Sequence, residues 1–280
     1  MTLSDFKQKF ITQLEDGYSS QEIDSAFNAL SKHYFHSKTA ELGDHPLDAH
    51  QINYFDNALQ RLMKNEPLEY ILGEARFYGR LFRVNSEVHV PRPESETMID
   101  WVLEDYRNPA VTGTTLLDIG AGAGVLAITL AKEIPGISVT AMDISERALE
   151  IARENANRLD ASVEFLNTDL FKLERLPKQF DLIVSNPPYI LKHAQRDVQR
   201  KFLGHEPPVA LYIEDDDPQV FNRKIAQLAK DSLKKNGAVF VEINQYLREE
   251  SEKVFQDLGF KTECRKDIFG NPRTLKAFME

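Results

Sequence analysis

Leu117-Asp118-Ile119-Gly120-Ala121-Gly122-Ala123-Gly124-Val125 is where the fold of this chain is decided. An apolar run ends at Ile119, glycine alternates with alanine, and apolar residues resume at Val125. Glycine has no Cβ, so such a turn can be tight and can lay its backbone against a ligand. Strand, glycine turn and helix in that order predict the first unit of a parallel sheet. The alternation continues downstream, with strands expected at 115–119, 139–142, 163–166, 180–185 and 238–243. Helices are expected at 125–133, 145–159, 218–233 and 246–258. A closing hairpin is expected from 260–264 and 275–279, around Phe269-Gly270-Asn271-Pro272. This pattern predicts an α/β fold: a mostly parallel sheet covered on both faces, binding ligands at the carboxyl ends of its strands.

Upstream the period changes. Leu3, Phe6, Phe10 and Leu14 fall on one helical stripe, and Ile23, Phe27, Leu30 and Tyr34 on a second, after a Ser19-to-Glu22 spacing that fits a capping box. A third stripe runs through Ile52, Phe55, Leu59 and Leu62 and ends by Pro67. From 76 to 90 the helical period disappears, and Phe77-Tyr78-Gly79-Arg80-Leu81-Phe82-Arg83-Val84 predicts a hairpin. Pro91-Arg92-Pro93-Glu94-Ser95-Glu96 then opens a helix to about Tyr106, with proline at its first position and acids at the positive end of its dipole. The expected organisation is a helical domain over 1–75, a hairpin and linker over 76–92, and the α/β domain over 93–280.

Composition narrows the class. Hydrophobic content of 42% over 280 residues is enough for real cores. The net charge of -10 is spread along the chain, which disfavours a large nucleic-acid footprint, and no stable nucleic-acid binding is expected. Cys264 is the single cysteine, so neither an internal disulfide nor a thiolate cluster can form. No 18-residue apolar stretch and no basic, apolar leader occur, and a soluble, cytoplasmic protein without membrane contact is expected. His33, His36, His45 and His50 crowd the helical region without ligand spacing, so no metal site is expected. Arg92 suits either an acidic partner or cofactor carboxylate, or an ion pair within the linker.

The glycine loop departs from the dinucleotide fingerprint, which would want glycine at 125, where Val125 stands. Gly-x-Gly-x-Gly suits S-adenosylmethionine, whose amino acid end replaces a pyrophosphate. Asp143 ends the next strand, 23 residues after Gly120, where a carboxylate can accept both ribose hydroxyls. The alternative is an N-cap for the helix that follows, a role Ser145 could fill instead. Asp169 lies in the loop of the third strand, where an adenine edge would lie, with Leu170 and Phe171 as apolar wall; taken singly, each is an ordinary loop residue. The fourth strand, 180–185, runs into Asn186-Pro187-Pro188-Tyr189. Asparagine before proline avoids the helical region, and two prolines fix φ and remove two donors. The result is a stiff elbow offering a carboxamide, carbonyls and an aromatic ring to a planar N–H group; the plainer reading is a turn cap on a rigid strand exit.

Together the loop 118–124, Asp143, Asp169-Leu170-Phe171 and the elbow resemble a class I (Rossmann-like) methyltransferase acting on a planar nitrogen. With Pro67-Leu68-Glu69-Tyr70-Ile71-Leu72-Gly73-Glu74, Phe77-Tyr78-Gly79 and the 91–96 motif, the chain resembles the peptide chain release factor glutamine methyltransferase family, often called PrmC or HemK, over residues 1–280. The resemblance implies S-adenosyl-L-methionine as cofactor, held by Gly120, Ala121, Gly122, Ala123, Gly124, Asp143, Asp169, Leu170 and Asn186, and leaving as S-adenosyl-L-homocysteine. It implies that Asn186, Pro187, Pro188 and Tyr189 hold a glutamine side chain, with Asn186, Pro187 and Tyr189 catalytic. The product would be N5-methylglutamine in the Gly-Gly-Gln loop of class I release factors, supporting translation termination, with the N-terminal helices docking the factor. Two departures, 212–218 and Asn244-Gln245, are expected to lie outside the elbow and to alter the loop over the site. An amino-group methyltransferase for adenine in DNA or RNA would use the same elbow; a non-catalytic adaptor should show a degraded loop or elbow, and both are intact here.

Overall fold

The computed structural model describes residues 1–36, 44–107, 113–192 and 204–279. It contains two compact units: residues 1–73 with Gly204 and His205, and the chain from Glu74, resuming at Glu206. Among the described residues, no helix is long and apolar enough to cross a membrane.

The first unit is helical: α1 (Leu3–Leu14), α2 (Ser20–Phe35), α3 (Ala49–Met63) and the short α4 (Leu68–Leu72). Each of the first three opens on a complete capping box, Thr2 with Asp5, Ser19 with Glu22 and Asp48 with Gln51. These reciprocal bonds satisfy orphan N–H groups that water would otherwise have to serve. The three stripes meet in one core, where Phe27 packs on Phe10 and Phe55 at 5.1 and 5.4 Å between ring centres. Tyr34 and Ile52 sit at its margin, half-buried. Pro67 does not end α3; Asn65, at φ 60°, lies beyond the end of that helix, and Pro67 caps α4.

The second unit begins with a hairpin of β1 (Glu74–Phe77) and β2 (Arg80–Arg83). Tyr78 and Gly79 both have positive φ, as a two-residue hairpin turn requires. Phe77 and Phe82 are buried in this unit's core, so the segment predicted as a link is packed into the α/β fold.

A seven-stranded sheet follows, built from β3 (Thr115–Ile119), β4 (Ser138–Asp143), β5 (Val163–Asn167), β6 (Phe180–Ser185), β9 (Leu233–Glu242), β10 (Lys261–Lys266) and β11 (Pro272–Phe278). Its spatial order is β10-β11-β9-β6-β3-β4-β5, with β11 antiparallel to both neighbours and the other pairings parallel. Alternate strand residues serve opposite faces. Leu116, Leu182 and Phe240 face α5 (Glu96–Tyr106), α6 (Val125–Glu133) and α7 (Glu146–Arg158), whereas Leu117, Ile183 and Val239 face α8 (Val220–Ser232) and α9 (Arg248–Gln256). A 3-10 turn, Pro93–Ser95, leads into α5. A separate parallel ribbon pairs β7 (Ile190–Leu191) with β8 (Tyr212–Ile213).

The chain runs from β3 to β4 to β5, then returns to β6 on the other side of β3. The order therefore reverses between β3 and β6, and a crevice opens beyond their carboxyl ends. The glycine loop and the elbow both emerge there: Ile119 and Ser185 are register partners, each one residue before its loop.

Candidate active site

Gly120, Gly122 and Gly124 all adopt positive φ, at 75°, 53° and 81°. Gly120 and Ala121 donate their N–H groups to the Met142 carbonyl at 2.8 and 3.0 Å, pinning the loop across the end of β4. A Cβ on Gly120 or Gly122 would meet nothing within 4 Å, so these two positions border open space. A Cβ on Gly124 would stand 2.9 Å from Ile128 and 3.2 Å from Ala152. The first two glycines thus leave the surface of the loop clear, and the third lets α6 pack on α7.

Asp118 lies beneath this loop, 1% exposed. Its Oδ2 accepts the Ala127 N–H at 3.0 Å and holds the first turn of α6, while Oδ1 meets no partner among the described residues. Burial pushes its carboxyl up to about 7. The sequence marks Asp118 as part of the motif without a role; a charged residue inside an apolar strand is the signal for one.

Asp143 is half-buried, and burial raises its carboxyl above the ordinary range. Oδ2 accepts from Gly122 and Oδ1 from Ser145, both at 2.9 Å. Ser145 itself caps α7 through the Ala148 N–H. Asp143 is therefore a brace between β4 and the glycine loop, and each oxygen retains a lone pair for a hydroxyl. Asp169 accepts the Phe171 N–H at 3.0 Å and caps a 3-10 turn, Leu170–Lys172. Leu170 is buried in the core alongside Met142 and Ile119, and Phe171 is exposed against Phe221.

The elbow is braced from behind. The Ser185 hydroxyl donates to the Ile119 carbonyl at 2.7 Å, tying β6 to β3. Asn186 Nδ2 donates to Ser95 Oγ at 3.2 Å, and Ser95 donates to Glu242 Oε2 at 2.5 Å. Tyr189 donates its hydroxyl to Glu242 Oε1 at 2.8 Å. Glu242 is 1% exposed, and burial raises its carboxyl. Burial and the Glu242 charge drive the Tyr189 phenol well above its ordinary value, so its proton stays in place. The Arg273 guanidinium lies 5.8 Å from the Tyr189 ring centre, itself paired with Asp267. Ser95 and Glu242 escape a reading of the sequence because their partners lie 91 and 147 positions away.

Of the two departures, one touches the elbow, contrary to expectation: Asn244 donates to the Tyr189 carbonyl at 3.1 Å. The other begins with β8, whose Tyr212 and Ile213 pair with Ile190 and Leu191 just past the elbow, beside the bond from the Ile190 N–H to the Leu211 carbonyl. Both brace the backbone around residues 186–189, which Pro187 and Pro188 cannot stabilise by donation. Arg92 forms the ion pair expected of the linker: its partner, Glu206, is 3% exposed and also binds His89 at 2.5 Å and the Val90 N–H at 3.1 Å. Burial works to raise the Glu206 carboxyl, yet His89 and Arg92 hold it below the ordinary range.

Residues 102–266 match the model of the methyltransferase small domain, and residues 8–73 that of the PrmC N-terminal domain. A release factor glutamine methyltransferase of Flavobacterium psychrophilum is 36% identical over 99% of both chains. One of Bacteroides thetaiotaomicron is 41% identical over 79% of both. Among solved structures, a methyltransferase from Pyrococcus furiosus shares the fold with a TM-score of 0.53 at 21% identity, over 80% of this chain and 98% of that one.

Proposed function

We infer the reaction from one premise: the chain belongs to the release factor glutamine methyltransferase family. It transfers a methyl group from S-adenosylmethionine to the side-chain amide nitrogen, N5, of a glutamine in release factors. The observation that supports placing this reaction at residues 186–189 is the register of β3 and β6. Ile119 and Ser185 are paired, so the glycine loop and the elbow leave neighbouring strands, about 4.8 Å apart in a sheet.

The residues fit the cofactor. Open space in front of Gly120 and Gly122 admits an amino acid end against the backbone of 120–124, Ala121 and Ala123 adding little bulk. The half-buried Asp143 accepts the ribose hydroxyls, and Asp169 with Leu170 borders the adenine. S-adenosylmethionine supplies, when bound, a sulfonium-activated methyl group and leaves as S-adenosylhomocysteine. The protein's task is orientation, because an amide nitrogen is a poor nucleophile while its lone pair is delocalised into the carbonyl. Asn186 Oδ1 and the Pro187 carbonyl each accept one N–H of the glutamine amide. Two acceptors fix the plane of that amide and favour pyramidal nitrogen with its lone pair out of conjugation. Pro188 offers no N–H to compete for them, and the Tyr189 ring walls the amide. Orientation of this quality supplies roughly 7–11 kcal/mol, so no strong base is required, and the proton leaves once alkylation has made it acidic.

The helical first unit is the docking unit for the release factor, and the reaction takes place in the cytoplasm, where release factors act. Adenine in nucleic acid presents a similar planar amine, but the net charge of -10 opposes a phosphate backbone. The test is transfer of labelled methyl from the cofactor to purified release factor, RNA or DNA offered separately. Label in the release factor alone, lost when its target glutamine is replaced, is expected; label in nucleic acid alone would overturn the reading.

A further inference from the structure

The carboxamide of Asn186 can serve the reaction in only one of its two orientations. Turned over, it would set its own NH₂ against the NH₂ of an incoming glutamine, donor to donor. Its neighbours decide between the two. Glu242 is acceptor-only as a carboxylate, and its two oxygens receive the hydroxyls of Ser95 and Tyr189 at 2.5 and 2.8 Å. The charge of Arg273 faces both Glu242 and Tyr189 and opposes the burial that raises the carboxyl. Ser95 has one proton, and it is committed to Glu242. Only lone pairs remain on Ser95 Oγ for the 3.2 Å contact with Asn186. Asn186 must therefore present Nδ2 to Ser95 and Oδ1 to the ligand.

We propose that Glu242, acting through Ser95, is the positioning residue that sets the hydrogen-bond polarity of Asn186, and that this relay makes the site accept a side-chain amide and refuse a side-chain carboxylate. The inference rests on the reading that Asn186 accepts an N–H of the target glutamine. With that polarity fixed, a glutamate in the same place would bring its lone pairs against those of Asn186 Oδ1 and the Pro187 carbonyl. A buried acceptor left facing an acceptor carries the desolvation cost of both groups, which is where the selectivity arises.

Full-length protein carrying Ser95→Ala, Ser95→Thr, Glu242→Gln, Asn186→Ala or Ser95→Ala with Glu242→Gln would be assayed for single-turnover methylation and cofactor binding. Each would also be tested for binding a release factor with its natural glutamine or with glutamate at that position. Ser95→Ala should lower kcat by roughly tenfold to a hundredfold and narrow the glutamine-over-glutamate preference by about tenfold, with the cofactor Kd changed less than about twofold. Ser95→Thr, which keeps the hydroxyl, should recover both kcat and preference. Glu242 also accepts the Tyr189 hydroxyl, so Tyr189→Phe serves as the control for that second contact, and adding Glu242→Gln to Ser95→Ala should narrow the glutamine-over-glutamate preference no further. Wild-type discrimination in Ser95→Ala, or a preference that narrows again in the double variant, would overturn the relay. Should Ser95→Ala retain full activity while Asn186→Ala has none, the relay falls and the elbow reading stands; full activity of Asn186→Ala would remove the reading itself.

Discussion

Asp118 brings two carboxylate oxygens to a place where one N–H, from Ala127, meets them. In the fold its carboxyl holds a proton up to about pH 7, whereas the unfolded chain releases it near its ordinary value of 3.8. The native state therefore binds more protons than the unfolded state between those values, and stability falls as pH rises through the window. The slope is about 1.4 kcal/mol per pH unit at its steepest. Asp118→Asn keeps the acceptor for Ala127 and removes the titration. Urea unfolding of both proteins at intervals from pH 4 to 7 should show the variant gaining on the wild type as pH rises; parallel curves would refute the assignment.

At the scale of elements, the sheet was legible because its strands are apolar runs bounded by turn residues, and β3 and β6 begin and end where the pattern predicts. The rest escaped for reasons of size or polarity. α4 and the β7–β8 ribbon are too short to show a period. β9 starts at Leu233, not 238, because Lys234, Lys235, Asn236 and Gly237 look like a turn but fill a register shift opposite β6. Gly237 is needed there, since a Cβ would lie 2.8 Å from the Asp181 carbonyl. Glu206 joins the chain before α5 to the segment leading into β8, through His89, Val90 and Arg92. Glu206→Ala would leave the Val90 N–H without its acceptor and remove the pairs to His89 and Arg92, and should cost about 1–3 kcal/mol, read as a lower denaturant midpoint. A change under 1 kcal/mol would show that this tie does not hold the loop.

For the molecule as a whole, the two-part organisation and the glycine loop are visible in the sequence because each is local: helical stripes in one stretch, glycines in another. The frame of the elbow is not local. Ser95, the Asn186–Tyr189 elbow and Glu242 come from three segments; the sheet order sets β6 beside β9, and the turn before α5 brings Ser95 to them. Single-turnover methylation by Asn186→Ala, measured beside its cofactor affinity, shows most directly whether this elbow orients the glutamine amide. The variant should bind S-adenosylmethionine with an affinity within about tenfold of the wild type and form N5-methylglutamine at least a hundredfold more slowly, a loss of roughly 2.7 kcal/mol in transition-state stabilisation. Methylation at the wild-type rate would contradict it.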